Sequence, residues 1–144
     1  MSRIKFDMPA IFPFKTSIPV RITDLNYGGH VGNDQILSMI HEARVQYLLH
    51  LGFEEMNLAG VGLIMRNVEI EFKSELFYGD IIQASVAAGD FSRIGFELYY
   101  QFEKEKEKKK TLLVLATTGM ICYNYTTKKI VSLPETARQK MTGI

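Results

Sequence analysis

Cysteine is nearly absent: Cys122 stands alone in 144 residues. An intrachain disulfide is therefore excluded, and the apolar neighbours in "TTGMICYNY" predict a buried, unreactive thiol. That cysteine and the three histidines never fall at zinc-like spacing, so no metal site and no cofactor are expected. No run approaches the roughly 20 apolar residues that a membrane-crossing helix needs. The opening stretch "MSRIKFDMPAIFPFK" has neither a long apolar core nor a cleavage pattern, which leads to the expectation of a soluble, cytoplasmic chain that avoids the membrane. Charge of one sign is missing too. The formal net charge is +1, which argues against nucleic acid as a partner. The densest charge run, "EKEKEKKK" over 103–110, mostly alternates in sign and reads as a solvated hairpin tip. With no internal repeat and no low-complexity linker, the length suits one domain over residues 1–144.

What is present is a change of hydrophobic period. Residues 14–23, "FKTSIPVRIT", are short and β-rich, with Pro19 marking an edge or a bulge. Over residues 34–51, Ile36, Ile40, Ala43, Tyr47 and Leu51 recur at helical spacing, and Leu37 and Leu48 widen that stripe. Val45 and Leu49 lie opposite, so the helix is expected to be buried on both sides. Asn33 or Asp34 suits its start and Gly52 its end. Beyond it the period becomes two. Strands are expected over 62–76, over 80–91 after a "YGD" turn, over 94–104, over 111–125 and, briefly, over 128–134. A short helix over 134–141 would close the chain, with proline suited to its first turn.

Consecutive strands with short links pair antiparallel. One long helix covers such a sheet only if the sheet curls round it. The expectation is an α+β fold, with a long central helix wrapped by a curled antiparallel sheet of five or six strands. Long strands leave an unpaired edge that invites a second copy, so at least a homodimer, or a homotetramer, is expected.

The stretch "GGHVGND", residues 28–34, sits between the first strand and that helix. Taken singly, Gly28, Gly29 and Gly32 are turn residues, Asn33 and Asp34 are helix starters, and His30 is an ordinary half-buried imidazole. Taken together they have the parts of a site. Glycine lets a ligand approach the backbone. A helix N-terminus presents free amide hydrogens and partial positive charge, where a carbonyl oxygen is polarised as it becomes an oxyanion. A carboxylate or imidazole beside it can activate water or attack directly. These are the parts of acyl chemistry.

The segment "RITDLNYGGHVGNDQILSMIHEAR", residues 21–44, resembles the opening signature of the hotdog-fold acyl-CoA thioesterases of the 4-hydroxybenzoyl-CoA type. Arg21, Asp24, Gly29, His30, Val31, Asn33, Glu42, Ala43 and Arg44 stand at matching places, and the later strands and the "YGD" turn also fit. The resemblance implies a hotdog fold and hydrolysis of an acyl-CoA or acyl-carrier-protein thioester. It also shows departures. Where many such enzymes carry a catalytic Asp, this chain has Asn26; Asp24 keeps the first position of that Asp-x-Asp pair. Plant acyl-carrier-protein thioesterases with a similar segment carry an Asn where this chain has Gly28, and the family's first Asn after Val is here Gly32.

The catalytic candidates are therefore Asp34, His30, Asn26 and Glu42, with Gly28, Gly29, Gly32 and Asn33 as substrate-binding backbone. Asp34 starts the helix, where the dipole favours negative charge, and suits a nucleophile or a base. His30 is of the type that orients or deprotonates water. Asn26 positions rather than ionises. Glu42, on the helix side with Ser38 and Leu49, either reaches a partner's pocket or pairs with Arg44 or Arg66. Asp24 either braces the loop or catalyses, and His41 and His50 read as structural. Leu58, Val61, Leu63, Ile64 and Met65 either line an acyl pocket or pack the core. Carboxylate- and His-assisted water attack on a thioester is the leading reading. A non-catalytic protein that binds acyl thioesters is its rival, and the Asn at position 26 is the rival's main support.

Overall fold

The computed structural model describes residues 7–143; residues 1–6, the beginning of the opening stretch read above, and residue 144 lie outside the described residues. In chain order the elements are β1 (Phe14–Pro19), α1 (Asn33–His50), β2 (Gly62–Phe72), β3 (Ile81–Gly89), β4 (Gly95–Lys106), β5 (Lys109–Asn124), β6 (Lys129–Ile130) and α2 (Glu135–Thr142), with a 3₁₀ turn at Ile22–Asp24. The sheet runs β1-β3-β4-β5-β2, every pairing is antiparallel, and β6 adds to β5. The sequence pattern anticipated this architecture, but several strands are shorter than expected. The first ends at Pro19, on the edge strand that a proline tolerates, and the last keeps two residues. The charged run is a hairpin tip: Glu107 and Lys108, both at positive φ, make the turn, and the flanking charges continue β4 and β5.

The sheet is curved rather than flat. Register shifts between Met65 and Asn67 and between Phe102 and Glu103 each add local twist. Along β4 the alternation is clean. Phe96, Leu98, Tyr100 and Phe102 are buried on the inner face, and the residues between them turn outward. Against that inner face α1 lays Ile36, Ile40, Ala43, Tyr47 and Leu48, all at most 2% exposed.

Three expectations for α1 need correction. Its N-cap is Gly32, in extended conformation and without a side-chain cap, so Asn33 and Asp34 lie in the first turn instead of capping it. Its second side is only partly covered in the single chain: Val45 is half-buried and Leu49 56% exposed, and Leu37, at the border of the main stripe, is 39% exposed. Glu42 does not pair with Arg44 or Arg66 among the described contacts. Gly52, at φ +88°, ends the helix as expected. Leu58 and Leu63 belong to the core, while Met65 is exposed. Cys122 is fully buried, and burial pushes its thiol up to about 11. Among the described residues, no helix is long and apolar enough to cross a membrane.

One polar chain crosses the core. Arg44, 6% exposed, donates from Nε to Glu55 Oε2 at 2.9 Å and from Nη1 to the Tyr100 hydroxyl at 3.2 Å. Tyr100 shares a 2.8 Å hydrogen bond with Thr118, and His41 Nε2 lies 2.5 Å from Glu55 Oε1. Burial pushes the Glu55 carboxyl up, but the hydrogen bonds from Arg44 and His41 outweigh it and leave the group below its ordinary range. A carboxylate lowered on folding contributes stability at pH above its unfolded value, and that contribution is lost as pH falls through the folded one. Arg44→Ala should cost about 3–5 kcal/mol in chemical denaturation, the scale for stripping one partner from a buried pair; an unchanged midpoint would contradict this account. The melting temperature should fall as pH drops from about 5 to about 3, near and below the free carboxylate range. Glu55→Gln should flatten that slope.

Candidate active site

The chain leaves β1, turns through Ile22–Asp24 and doubles back before α1. Asp24 is 3% exposed, and its carboxylate accepts the Arg21 backbone N–H at 2.8 Å, with Arg21 Nη2 3.4 Å away. These contacts brace the start of the loop, one of the two roles open for Asp24. Within the loop, Asn26 N–H donates to the His30 carbonyl at 2.9 Å and Gly29 N–H to the Asn26 carbonyl at 3.1 Å. Gly29 sits at φ +80°, where a side chain would be strained. Asn26 Oδ1 accepts the Gly28 N–H at 2.8 Å. An antiparallel bridge between His30 and Phe77, in which Val31 N–H donates to the Leu76 carbonyl at 2.9 Å, ties the loop to the segment between β2 and β3.

Two glycines mark where side chains converge. A Cβ on Gly28 would lie 3.1 Å from the His30 ring and 3.2 Å from Asn26 Oδ1. A Cβ on Gly32 would lie 2.9 Å from Asp34 Oδ1 and 3.8 Å from Asn26 Nδ2. The Asn26 amide thus lies near the imidazole at one glycine and near the carboxylate at the other. Its oxygen faces the Gly28 side and its nitrogen the Gly32 side. Gly32 is a space-making glycine, since its φ of −77° suits any residue.

The candidates divide among three cavities. A cleft of about 340 Å³ is lined by Asp24, Asn26, Tyr27, Gly32, Asp34 and Gln35. His30 and Asn33 instead border a cavity of about 330 Å³ with Phe72, Ser74 and Leu76. Glu42 lies in a third, about 460 Å³ between β1 and α1, with Arg21, Asp24, Ser38 and Gln46. There Glu42 accepts a 2.9 Å hydrogen bond from Gln46, whose oxygen is bound by the Thr16 hydroxyl. So Asn26, Gly32 and Asp34 share a cleft. His30 lines a different cavity, and Glu42 a third that meets the cleft at Asp24. His50 packs against Phe14, ring centroids 5.1 Å apart, His41 lies against Glu55, and neither lines the cleft.

The cleft meets the start of α1. The Gly32 carbonyl accepts the N–H groups of Gln35 and Ile36 at 3.1 and 3.2 Å, and glycine supplies no side chain to occupy the earlier amides. Those amides and the helix dipole make this end of α1 a place for an oxygen that gains negative charge. Tyr27 and Gln35 also line the cleft, although spacing and type marked neither of them in the sequence. Tyr27 is fully exposed at the loop's tip.

An 18-residue helix wrapped by a curled antiparallel sheet is the hotdog architecture, and solved structures share it. The model of the thioesterase-like superfamily matches residues 20–141, and the chain belongs to that family. Among solved structures, a 1,4-dihydroxy-2-naphthoyl-CoA thioesterase from Synechocystis is 22% identical, with TM-score 0.80 over 91% of this chain and 96% of that one. A hypothetical protein from Aquifex aeolicus is 25% identical, with TM-score 0.79 over 90% and 99%. A 4-hydroxybenzoyl-CoA thioesterase variant in complex with 4-hydroxybenzoyl-CoA is 12% identical, with TM-score 0.81 over 89% and 97%. A comparison with curated proteins gives no match.

The brace at Asp24 is directly testable. Asp24→Ala removes the charged acceptor of the Arg21 N–H and should cost about 1.5–3 kcal/mol, the scale for a hydrogen bond to a charged group. Urea denaturation with no shift in midpoint would show that the loop does not depend on it.

Proposed function

We propose that this protein hydrolyses acyl-CoA or a related acyl thioester to a free acid and a thiol. Water adds to the thioester carbonyl, the C–S bond breaks, and the proton taken from water returns to the departing thiolate. The observation that carries the reading is the convergence of Asp34 Oδ1 and Asn26 Nδ2 over Gly32, at the uncapped start of α1. A thioester is already activated, so positioned water and a polarised carbonyl suffice. In this scheme the first-turn amides of α1 hold the developing oxyanion. Asn26 Nδ2 donates to the carbonyl or to water, and Asp34 takes water's proton, or attacks the carbonyl itself and expels the thiolate to give an anhydride that water then opens. His30, on the far side of Asn26, orients the group that Asn26 holds. The backbone of Gly28, Gly29, Gly32 and Asn33 gives the thioester close approach. Thioesterase membership and the CoA thioesters named for the solved relatives favour CoA as the thiol; a carrier-protein thioester has the same reacting group.

We further propose that the whole chain acts as one domain within at least a homodimer. Its support is the eleven-residue edge strand β2, which has a neighbour on one side only, together with the exposed Leu37 and Leu49. Light scattering at micromolar concentration should give at least twice the chain mass of 16.4 kDa. A strict monomer would refute it.

The chemical test is turnover on a panel of acyl thioesters. Asp34→Asn should lower kcat by about 10²-fold or more, the scale for losing a general base, while leaving the fold intact. Full turnover in Asp34→Asn with none in Glu42→Gln would move the chemistry to the cavity between β1 and α1. An unmutated protein without turnover on any thioester would leave the cleft as a binding element.

A further inference from the structure

Asp34 is the first member of a longer polar row. Asp34, Ser38, Glu42 and Gln46 follow one another at intervals of four, so they form one line winding along α1. At about 1.5 Å of rise per residue the line spans about 18 Å. Its members touch: the Ser38 hydroxyl reaches the Asp34 carbonyl at 3.5 Å, and the Gln46 amide donates to Glu42 Oε2 at 2.9 Å. Asp34 lines the cleft, while Ser38, Glu42 and Gln46 line the cavity of about 460 Å³ between α1 and β1, and the two spaces meet at Asp24. Ile18 and Met39, both largely buried, form the floor of that cavity.

The wall opposite the row is the open edge of the sheet. β1 pairs with β3 alone. Val20, the next residue along the chain, sends its N–H to the Asp80 carbonyl on the β3 side at 2.9 Å. Backbone groups alternate sides along a strand, so those of Ile18 and Thr16 also turn to β3. The N–H and C=O of Ser17 and the C=O of Pro19 turn to the free side. Proline suits its place, because the N–H it lacks had no strand partner there. Ser17 and Pro19 both line the cavity. One backbone donor and two backbone acceptors thus stand opposite a hydroxyl, a carboxylate and an amide. Gln46 engages Glu42 Oε2 and leaves Oε1 for a ligand. An extended chain that carries amides completes such an edge.

We propose that this groove holds the pantetheine arm of the thioester, the amide-bearing chain that CoA and carrier-protein thioesters share. The inference rests on hydrolysis at Asp34. Of the chains that complete a strand edge, this one is attached to the group in the cleft, and the row leads away from the cleft's own carboxylate. The near amide of the arm lies beside Ser38. The far amide lies between Ser17 and Glu42, its N–H donating to Glu42 Oε1 and its carbonyl accepting the Ser17 N–H. Glu42 then binds the arm instead of attacking the thioester.

The test compares an acyl-pantetheine thioester with the N-acetylcysteamine thioester of the same acid, which keeps the near amide and lacks the far one. kcat/KM should favour the pantetheine thioester, with the difference in KM. Glu42→Ala and Ser17→Pro should each reduce that preference roughly three- to tenfold, the scale of one hydrogen bond. Glu42→Ala keeps the test alive if Ser17→Pro fails to fold. A preference indifferent to both variants, or an equal loss of kcat on both thioesters in Glu42→Ala, would overturn the proposal. Binding is read separately with S-propyl-pantetheine, a thioether that cannot be hydrolysed, which should shift the NMR amide signals of Ser17, Ser38 and Glu42. Those shifts in a protein that turns over no thioester would remove the hydrolytic reading and keep the groove as the arm's site. Turnover without those shifts would remove the groove and keep the hydrolysis.

Discussion

The structure depends on how a cation is accommodated inside the helix-to-sheet interface. Arg44 lies on the buried side of α1, and a guanidinium there is tolerable only when its donors are matched. Glu55 and the Tyr100 hydroxyl supply that match from two directions. One partner follows α1 in the chain, and the other stands on a central strand. A hydrogen-bonded fork has a defined geometry, where apolar contact tolerates rotation and sliding. The pairing and the buried stripe of Ile36, Ile40, Ala43, Tyr47 and Leu48 together hold the face of α1 against the sheet. Asp34 projects from the first turn of that same helix.

The loop is fixed from three sides. Asp24 holds its beginning, the Asn26–His30 backbone bond closes its middle, and Val31 and His30 pin its end to the strand connection. These are short-range polar contacts, and they leave little apolar surface to bury. The loop is held by hydrogen bonds from the backbone N–H groups of Asn26, Gly28, Gly29 and Val31. That suits a site whose chemistry depends on the placement of a few atoms.

Much of this was legible in the sequence. The change from a 3.6 to a 2.0 period at Gly52 separated helix from sheet, because each element buries one face and repeats accordingly. Gly28, Gly32, His30 and Asp34 stood out by type and closeness, and residues 21–44 resembled a family signature. What could not be read depends on contacts between distant segments. Glu55 carries no local mark as the partner of Arg44, since eleven residues and a helix end intervene. The helix start went to Asn33 or Asp34 because their side chains make good caps, whereas Gly32 takes the position for lack of room. Leu37 and Leu49 repeat like core residues, yet the single sheet of one chain does not reach them. The division of His30, Asp34 and Glu42 among three cavities follows from the path of the loop, which no spacing rule encodes.

The amide of Asn26 has two unlike ends, and one is already committed. Its oxygen receives the Gly28 N–H at 2.8 Å, so rotating the amide by half a turn would set one N–H against another. The nitrogen is therefore the end held toward Gly32. A carboxylate at this position would keep the same tie to Gly28 with one oxygen and offer the other, an acceptor, to the cleft. The asparagine offers hydrogens instead. At this one atom the cleft's hydrogen-bonding polarity is inverted relative to an aspartate-bearing relative, and acceptor capacity in the cleft passes to Asp34, two residues beyond the glycine that makes room for it.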